Sequence, residues 1–153
     1  MTRTRKADPR KLEIPIVLLL ALILAACGSL GSHEEQKVEG LKLSVDTFNG
    51  CFKWEDYSKA AVFVPYNKKE LFWSDVDRFK GKIRIVDYQI RELLEDQATH
   101  TATAILLFQY WRTDAPIVQT VTFSQKWIYF EKEKRWRVVD TGLGSIPKPK
   151  AVE

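Results

Sequence analysis

The hydrophobic period of this chain changes once, near Lys82, and that change limits the fold more than any other feature. Before it, apolar residues recur at helical spacing. Val38, Leu41, Val45, Phe48 and Phe52 step by three and four, and Trp54, Tyr57, Ala61 and Val64 do the same. Such steps put each set on one face of a helix. Gly50 is expected to separate the two helices. Pro65 ends the second, because the residue before a proline is pushed out of the α region. Phe72, Val76 and Phe79 predict a short third helix, stopped by Gly81.

After Lys82 the chain is rich in Ile, Val, Thr and aromatics, with largely alternating apolar positions such as Val121, Phe123, Trp127 and Tyr129. This pattern predicts strands over 83–94, 102–112, 117–130 and 135–141. Turns are expected at Asp96 to His100, at Asp114-Ala-Pro116 and at the charged Glu131-Lys-Glu-Lys134. Ile83 and Ile85 are out of phase with Val86, Tyr88 and Ile90, which points to a bulge in a bent strand. Helices followed by long antiparallel strands make an α+β fold, with N-terminal helices packed on a curved antiparallel sheet of about four strands.

Residues 1–26 are of another kind. Arg3, Arg5, Lys6, Arg10 and Lys11 precede an apolar run from Ile14 to Ala26 that stops at Cys27. The run is short for a bilayer-spanning helix, which needs roughly 20 apolar residues, and suits a secretory h-region of about 7–15. Leu24-Ala25-Ala26-Cys27 resembles the lipobox of bacterial lipoprotein signal peptides. The resemblance implies cleavage between Ala26 and Cys27, with lipid on the Cys27 sulfur and on the new amine. Small Ala side chains admit the backbone to a peptidase cleft, and only a thiolate offers a nucleophile that leaves a stable thioether. Two or three acyl chains then hold the protein on a membrane durably. Gly28 and Ser29 follow, where an Asp would retain a lipoprotein in the inner membrane of enterobacteria. The expectation is therefore an outer-membrane anchor with the domain facing the periplasm.

The organisation expected is a signal peptide over 1–26, a lipidated terminus and flexible tether over 27–37, an α+β domain over 38–145 and an extended tail over 146–153. Five of the 24 Lys+Arg and two of the 20 Asp+Glu lie before Cys27. That leaves 19 basic and 18 acidic groups, a formal charge of +1, so the basic balance belongs mainly to the signal segment. A nearly neutral domain lacks the clustered basic face that nucleic acid requires, and no nucleic-acid partner is expected. With Cys27 lipidated, Cys51 has no partner in its own chain and reads as a small buried apolar residue.

The element order, the Trp54-to-Phe63 helix, and Gln125-x-Trp127 followed by Trp136-Arg-Val-Val139 resemble the nuclear transport factor 2-like (cystatin-like cone) family over about Val38 to Gly142. The resemblance implies a cone whose open end can hold a pocket, used by different members for catalysis, ligand binding or dimerisation. The fold alone does not choose among these. Residues placed to line such a pocket are Tyr57, Asp87, Tyr110 and Asp140. Asp87 and its neighbour Tyr88 point to opposite faces of a regular strand, so both reach one pocket only if the bulge turns one of them.

No catalytic constellation emerges from the remaining residues. His33 lies in the tether and His100 in a Thr-rich loop, without the spaced partners of a metal site or a general base. Gly142-Leu-Gly144 follows a strand but opens no helix, so it is a turn and not a dinucleotide fingerprint. Two basic stretches, Arg78 to Arg84 and Lys132 to Arg137, carry interspersed acids and read as solvated edges. The expectation is an envelope lipoprotein, not an enzyme, with no metal and no cofactor. Its domain would bind an envelope protein partner or a small apolar ligand, and a homodimer is compatible with the fold. The alternatives are a cone-pocket isomerase or dehydratase and a purely structural dimerising module.

Overall fold

A computed structural model of the chain describes residues 31–147, with side chains from Lys37 onward. The segment expected to be a signal peptide, Ala26, Cys27, the side chain of His33 and the residues beyond Pro147 lie outside the described residues. The chain divides into two units between Lys37 and Val38, and the core and the sheet belong to the second.

Helix α1 (Gly31–Lys53) turns Leu41, Val45, Phe48 and Phe52 into the core, as their spacing predicts, whereas Val38, expected on the same face, is 47% exposed one turn before the core begins. It reaches back into the stretch expected to be a tether and runs on through Gly50. The expected break at Gly50 is therefore corrected. A single glycine weakens a helix without ending it, and here the buried face is continuous from Phe48 to Phe52 across it. Past Lys53 the helix is capped at Glu55, which takes the left-handed conformation at φ 57°. Asp56 N–H donates to Cys51 O at 2.8 Å and Glu55 N–H to Phe52 O at 3.1 Å. This is the paired bonding of a Schellman cap, built here without the usual glycine, which is why the sequence hid it. Trp54, expected on the inner face of a second helix, instead sits in this turn and is 78% exposed.

Asp56 caps α2 (Tyr57–Ala60) by accepting from Lys59 N–H at 3.2 Å. A 3-10 turn over Ala61–Phe63 follows, and Val64 is extended before Pro65. A second 3-10 turn leads into α3 (Lys69–Phe79), which buries Phe72, Val76 and Phe79.

The strands are β1 (Ile83–Asp96), β2 (Thr101–Arg112), β3 (Ala115–Phe130) and β4 (Arg135–Asp140), all antiparallel in the order β1-β2-β3-β4. Ile85 pairs with Tyr110 and Asp87 with Gln109, so Val86 is an extra residue, and Arg91 is another between Ile90 and Glu92. The inner face of β1 accordingly runs Ile83, Ile85, then Tyr88, Ile90, then Leu93. The first of these phase slips is the one visible in the sequence. Pro116, expected in a turn, lies within β3 in the irregular pairing between Tyr110 and Arg112, where a missing N–H breaks no ladder bond.

On β2, Ala102, Ala104, Leu106, Phe108 and Tyr110 are buried while their neighbours are half-buried. The helices cover this face. Phe48 meets Trp127 edge-on at 5.7 Å, and Phe52 meets Phe72 at 5.9 Å and Phe79 at 6.4 Å. Within this apolar layer lies a fully buried polar pair. Gln125 Nε2 donates to Asn49 Oδ1 at 3.0 Å, and Asn49 Nδ2 returns a bond to Gln125 Oε1 at 3.2 Å. Asn49 Nδ2 also donates to Val45 O at 2.7 Å, and Trp127 Nε1 donates to Gln125 Oε1 at 3.3 Å. Buried amides are tolerated when satisfied in this way, and the pair fixes α1 against β3.

Candidate functional site

The four residues expected to share a pocket are not brought together. Tyr57 is buried against Phe52, with ring centres 5.3 Å apart, and burial followed by Glu55 raises its hydroxyl above the usual tyrosine range. Tyr110 is buried in β2 and donates to Gln119 Oε1 at 3.0 Å. Asp140 lines a groove of about 400 Å³ between α3 and the end of β4, with Leu71, Phe72, Asp75, Arg78 and Val138. Its Oδ1 accepts from Gly142 N–H at 3.0 Å, a turn-closing bond. Strand alternation and helix placement disperse these groups over both sheet edges and the core, which a one-dimensional pattern does not resolve.

Asp87 belongs to a second groove, of about 340 Å³, between α1 and the edge strand β1. It is lined by Asp46, Gly50, Lys53, Trp54, Asp87, Tyr88 and Ile90. Asp87 and Tyr88 both reach it just beyond the Val86 bulge. Lys53 Nζ donates to Asp87 Oδ1 at 2.9 Å, and this bond to a cation holds the Asp87 carboxyl below the usual range. Tyr88 Oη donates to Asp46, with the main-chain oxygen at 2.9 Å and Oδ1 at 2.8 Å. Burial first, and then this bond to Asp46, push the Tyr88 hydroxyl well above the tyrosine range. The Lys53 ammonium also lies 5.9 Å from the Trp54 ring centre.

The other candidates resolve individually. Cys51 is partly buried beside the core, and burial followed by the nearby Asp56 raises its thiol, which suits an inert packing residue better than a nucleophile. His100 stands at the β1–β2 turn with Nε2 3.7 Å from Glu131 Oε1. Arginines of the two basic stretches meet carboxylates: Arg84 meets Glu55 at 2.8 Å, Arg78 pairs with Asp75, and Arg137 pairs with Glu133. Arg137 Nη1 also donates to Val62 O at 2.8 Å. Gly142 to Ser145 forms the expected turn. Among the described residues no group of three or more His, Cys, Asp or Glu is arranged to hold a metal ion, and no helix is long and apolar enough to cross a membrane.

Sequence reasoning missed the Asn49–Gln125 pair and the roles of Asp46, Lys53 and Trp54. Asn49 carried a usable signal, being polar at an inner-face position four residues after Val45. Asp46 and Lys53 carried none, since their partners come from a strand more than 30 residues away.

The Tyr88 environment has a measurable consequence. A tyrosine raised in the folded state contributes stability that is fully present below its unfolded value of about 10 and lost as pH rises above it. Wild type should therefore lose more unfolding free energy between about pH 10 and 11.5 than Tyr88→Phe does. Equal losses in urea titrations of the two proteins would contradict this geometry.

No family model, curated protein or solved structure matches the chain.

Proposed function

We propose that this chain is a bacterial envelope lipoprotein whose α+β domain, of the nuclear transport factor 2-like kind, binds an envelope component and catalyses no reaction. The observation that carries the reading is the order of the exported segment: five cations, an apolar run, then Leu24-Ala25-Ala26-Cys27. In this reading Cys27 bears the lipid, and Gly28 and Ser29 direct the anchor to the outer membrane, with the domain toward the periplasm.

The binding role is supported by how the candidate groups are occupied. Acid–base catalysis needs a group tuned near the working pH and within about 3 Å of the reacting proton. Asp87 is held ionised by Lys53, Tyr88 is held protonated by burial and Asp46, Tyr110 is bonded to Gln119, and Asp140 closes a turn. Each of these groups is committed to a partner within the fold, and none is placed to move a proton.

Intact-mass spectrometry of protein from membranes should show a mature chain that starts at a lipidated Cys27, and Cys27→Ser should yield an uncleaved or soluble form. An unmodified terminus at another residue would overturn the anchor. For the domain, Asp140→Asn should leave the cellular role intact. Loss of that role, with folding and anchoring normal, would return weight to an isomerase-like or dehydratase-like activity.

A further inference from the structure

We infer that the groove between α1 and the edge of β1 is a saccharide-binding site, in which the exposed Trp54 indole stacks on a pyranose ring while Asp46, Lys53, Asp87 and Tyr88 engage its hydroxyls. The site rests on the reading of the domain as a binding module and is independent of Cys27 lipidation, so site and anchor fail separately.

A pyranose presents an apolar face of C–H groups and an edge of hydroxyls that both donate and accept. A matching site needs a flat apolar platform beside fixed polar groups of both kinds. Trp54 supplies the platform: it is a large aromatic side chain, 78% exposed, on a turn fixed by the Cys51–Asp56 and Phe52–Glu55 bonds. Large exposed apolar groups next to a concavity mark binding sites more often than isolated ones do. The polar set is preorganised. Lys53 and Asp87 hold each other at 2.9 Å, presenting a donor and an acceptor side by side. Tyr88, which lines the groove, has committed its proton to Asp46, so toward a ligand its oxygen can act only as an acceptor. The groove, about 340 Å³, lies at the small end of ligand pockets, which span about 300–1,000 Å³.

Gly50 is a second observation pointing the same way. It is a helix-interior glycine without a positive φ, and a Cβ there would meet Tyr88 Oη at 3.4 Å, an ordinary contact. Packing therefore does not require glycine at this position, although glycine weakens a helix relative to alanine. What the missing side chain provides is open space on the groove floor. A lipid surface fits less well, because the cations around Trp54 are already paired, Lys53 with Asp87, Arg84 with Glu55 and Lys59 with Asp56, and Asp46 adds a further acid, which leaves no net positive charge for anionic headgroups.

The test is calorimetric titration of the full chain, in a detergent without a sugar headgroup, with chitotriose and with maltotriose. Binding of at least one is expected. Trp54→Ala should weaken it by at least about tenfold, with the circular dichroism spectrum unchanged. Gly50→Val, which fills the floor, should also weaken it. Preference for chitotriose would indicate an acetylated amino-sugar glycan, and preference for maltotriose a neutral glucan. Absence of binding to both at about 10 mM, or equal binding by wild type and Trp54→Ala, would overturn the site. So would a blue shift of Trp54 emission, taken as wild type minus Trp54→Phe, with phosphatidylglycerol vesicles and not with either sugar.

Discussion

Trp127→Ala should lower the unfolding free energy by about 3–5 kcal/mol, the range of large aromatic truncations in cores. The side chain is fully buried and sits edge-on to Phe48 at 5.7 Å and to Phe63 at 6.4 Å, so its removal opens a cavity between α1, the 3-10 turn and the sheet. It also removes the indole donor from Gln125 Oε1, leaving a buried amide oxygen with one donor fewer. The two effects act at one place and share neighbours, so they need not add simply. Urea unfolding should show the midpoint fall with the slope unchanged. Trp127→Phe, which keeps most of the apolar volume but not the N–H, should fall between wild type and Trp127→Ala. A loss below about 1 kcal/mol in Trp127→Ala would contradict this packing.

Gly142→Ala should be of similar severity, about 2–5 kcal/mol, when left-handed strain of roughly 1–2 is combined with overpacking of about 1–3. Gly142 has φ 65°, and a Cβ built there stands 2.2 Å from Ser124 O and 2.6 Å from Phe123 Cδ2. The nearest atom is backbone of β3 and cannot swing aside. Relief would have to come from the turn itself, which carries the buried Leu143 and Ile146. Gly81→Ala is the internal control. Its φ is 72°, but nothing lies within 4 Å of the added carbon. Only the strain of about 1–2 kcal/mol then applies. Comparable midpoints for Gly81→Ala and Gly142→Ala would show that the close approach to Ser124 does not hold in solution.

The contrast between these glycines and Gly50 shows what a sequence can express. Gly50 and Gly81 read as helix breaks and Gly142 as a turn, yet α1 runs through the first, while the second follows the end of α3 and the third lets a turn lie against a strand. Glycine marks where a backbone is free to deviate, and the surroundings decide whether it does. Glu55 is the converse: the chain turns left-handed at a residue that announces nothing, held by its own bond to Phe52, the Asp56 bond to Cys51 and the ion pair with Arg84.

The α+β class, the burial faces of α1 and α3, the four strands to within a few residues, and the bulge near Val86 are all legible in the residue pattern. These follow from local periodicity, because a residue's alternation between core and solvent is set by its own backbone repeat. The sequence also carries the Leu24-Ala25-Ala26-Cys27 string on which the proposed anchor rests. Packing between distant elements is what brings Asn49 to Gln125 across 76 residues, parts Tyr57, Asp87, Tyr110 and Asp140, and leaves Trp54 exposed beside a groove. Those outcomes depend on which elements are neighbours and how closely they approach, and in a chain of 153 residues that information resides in pairs of distant positions and not in any one window.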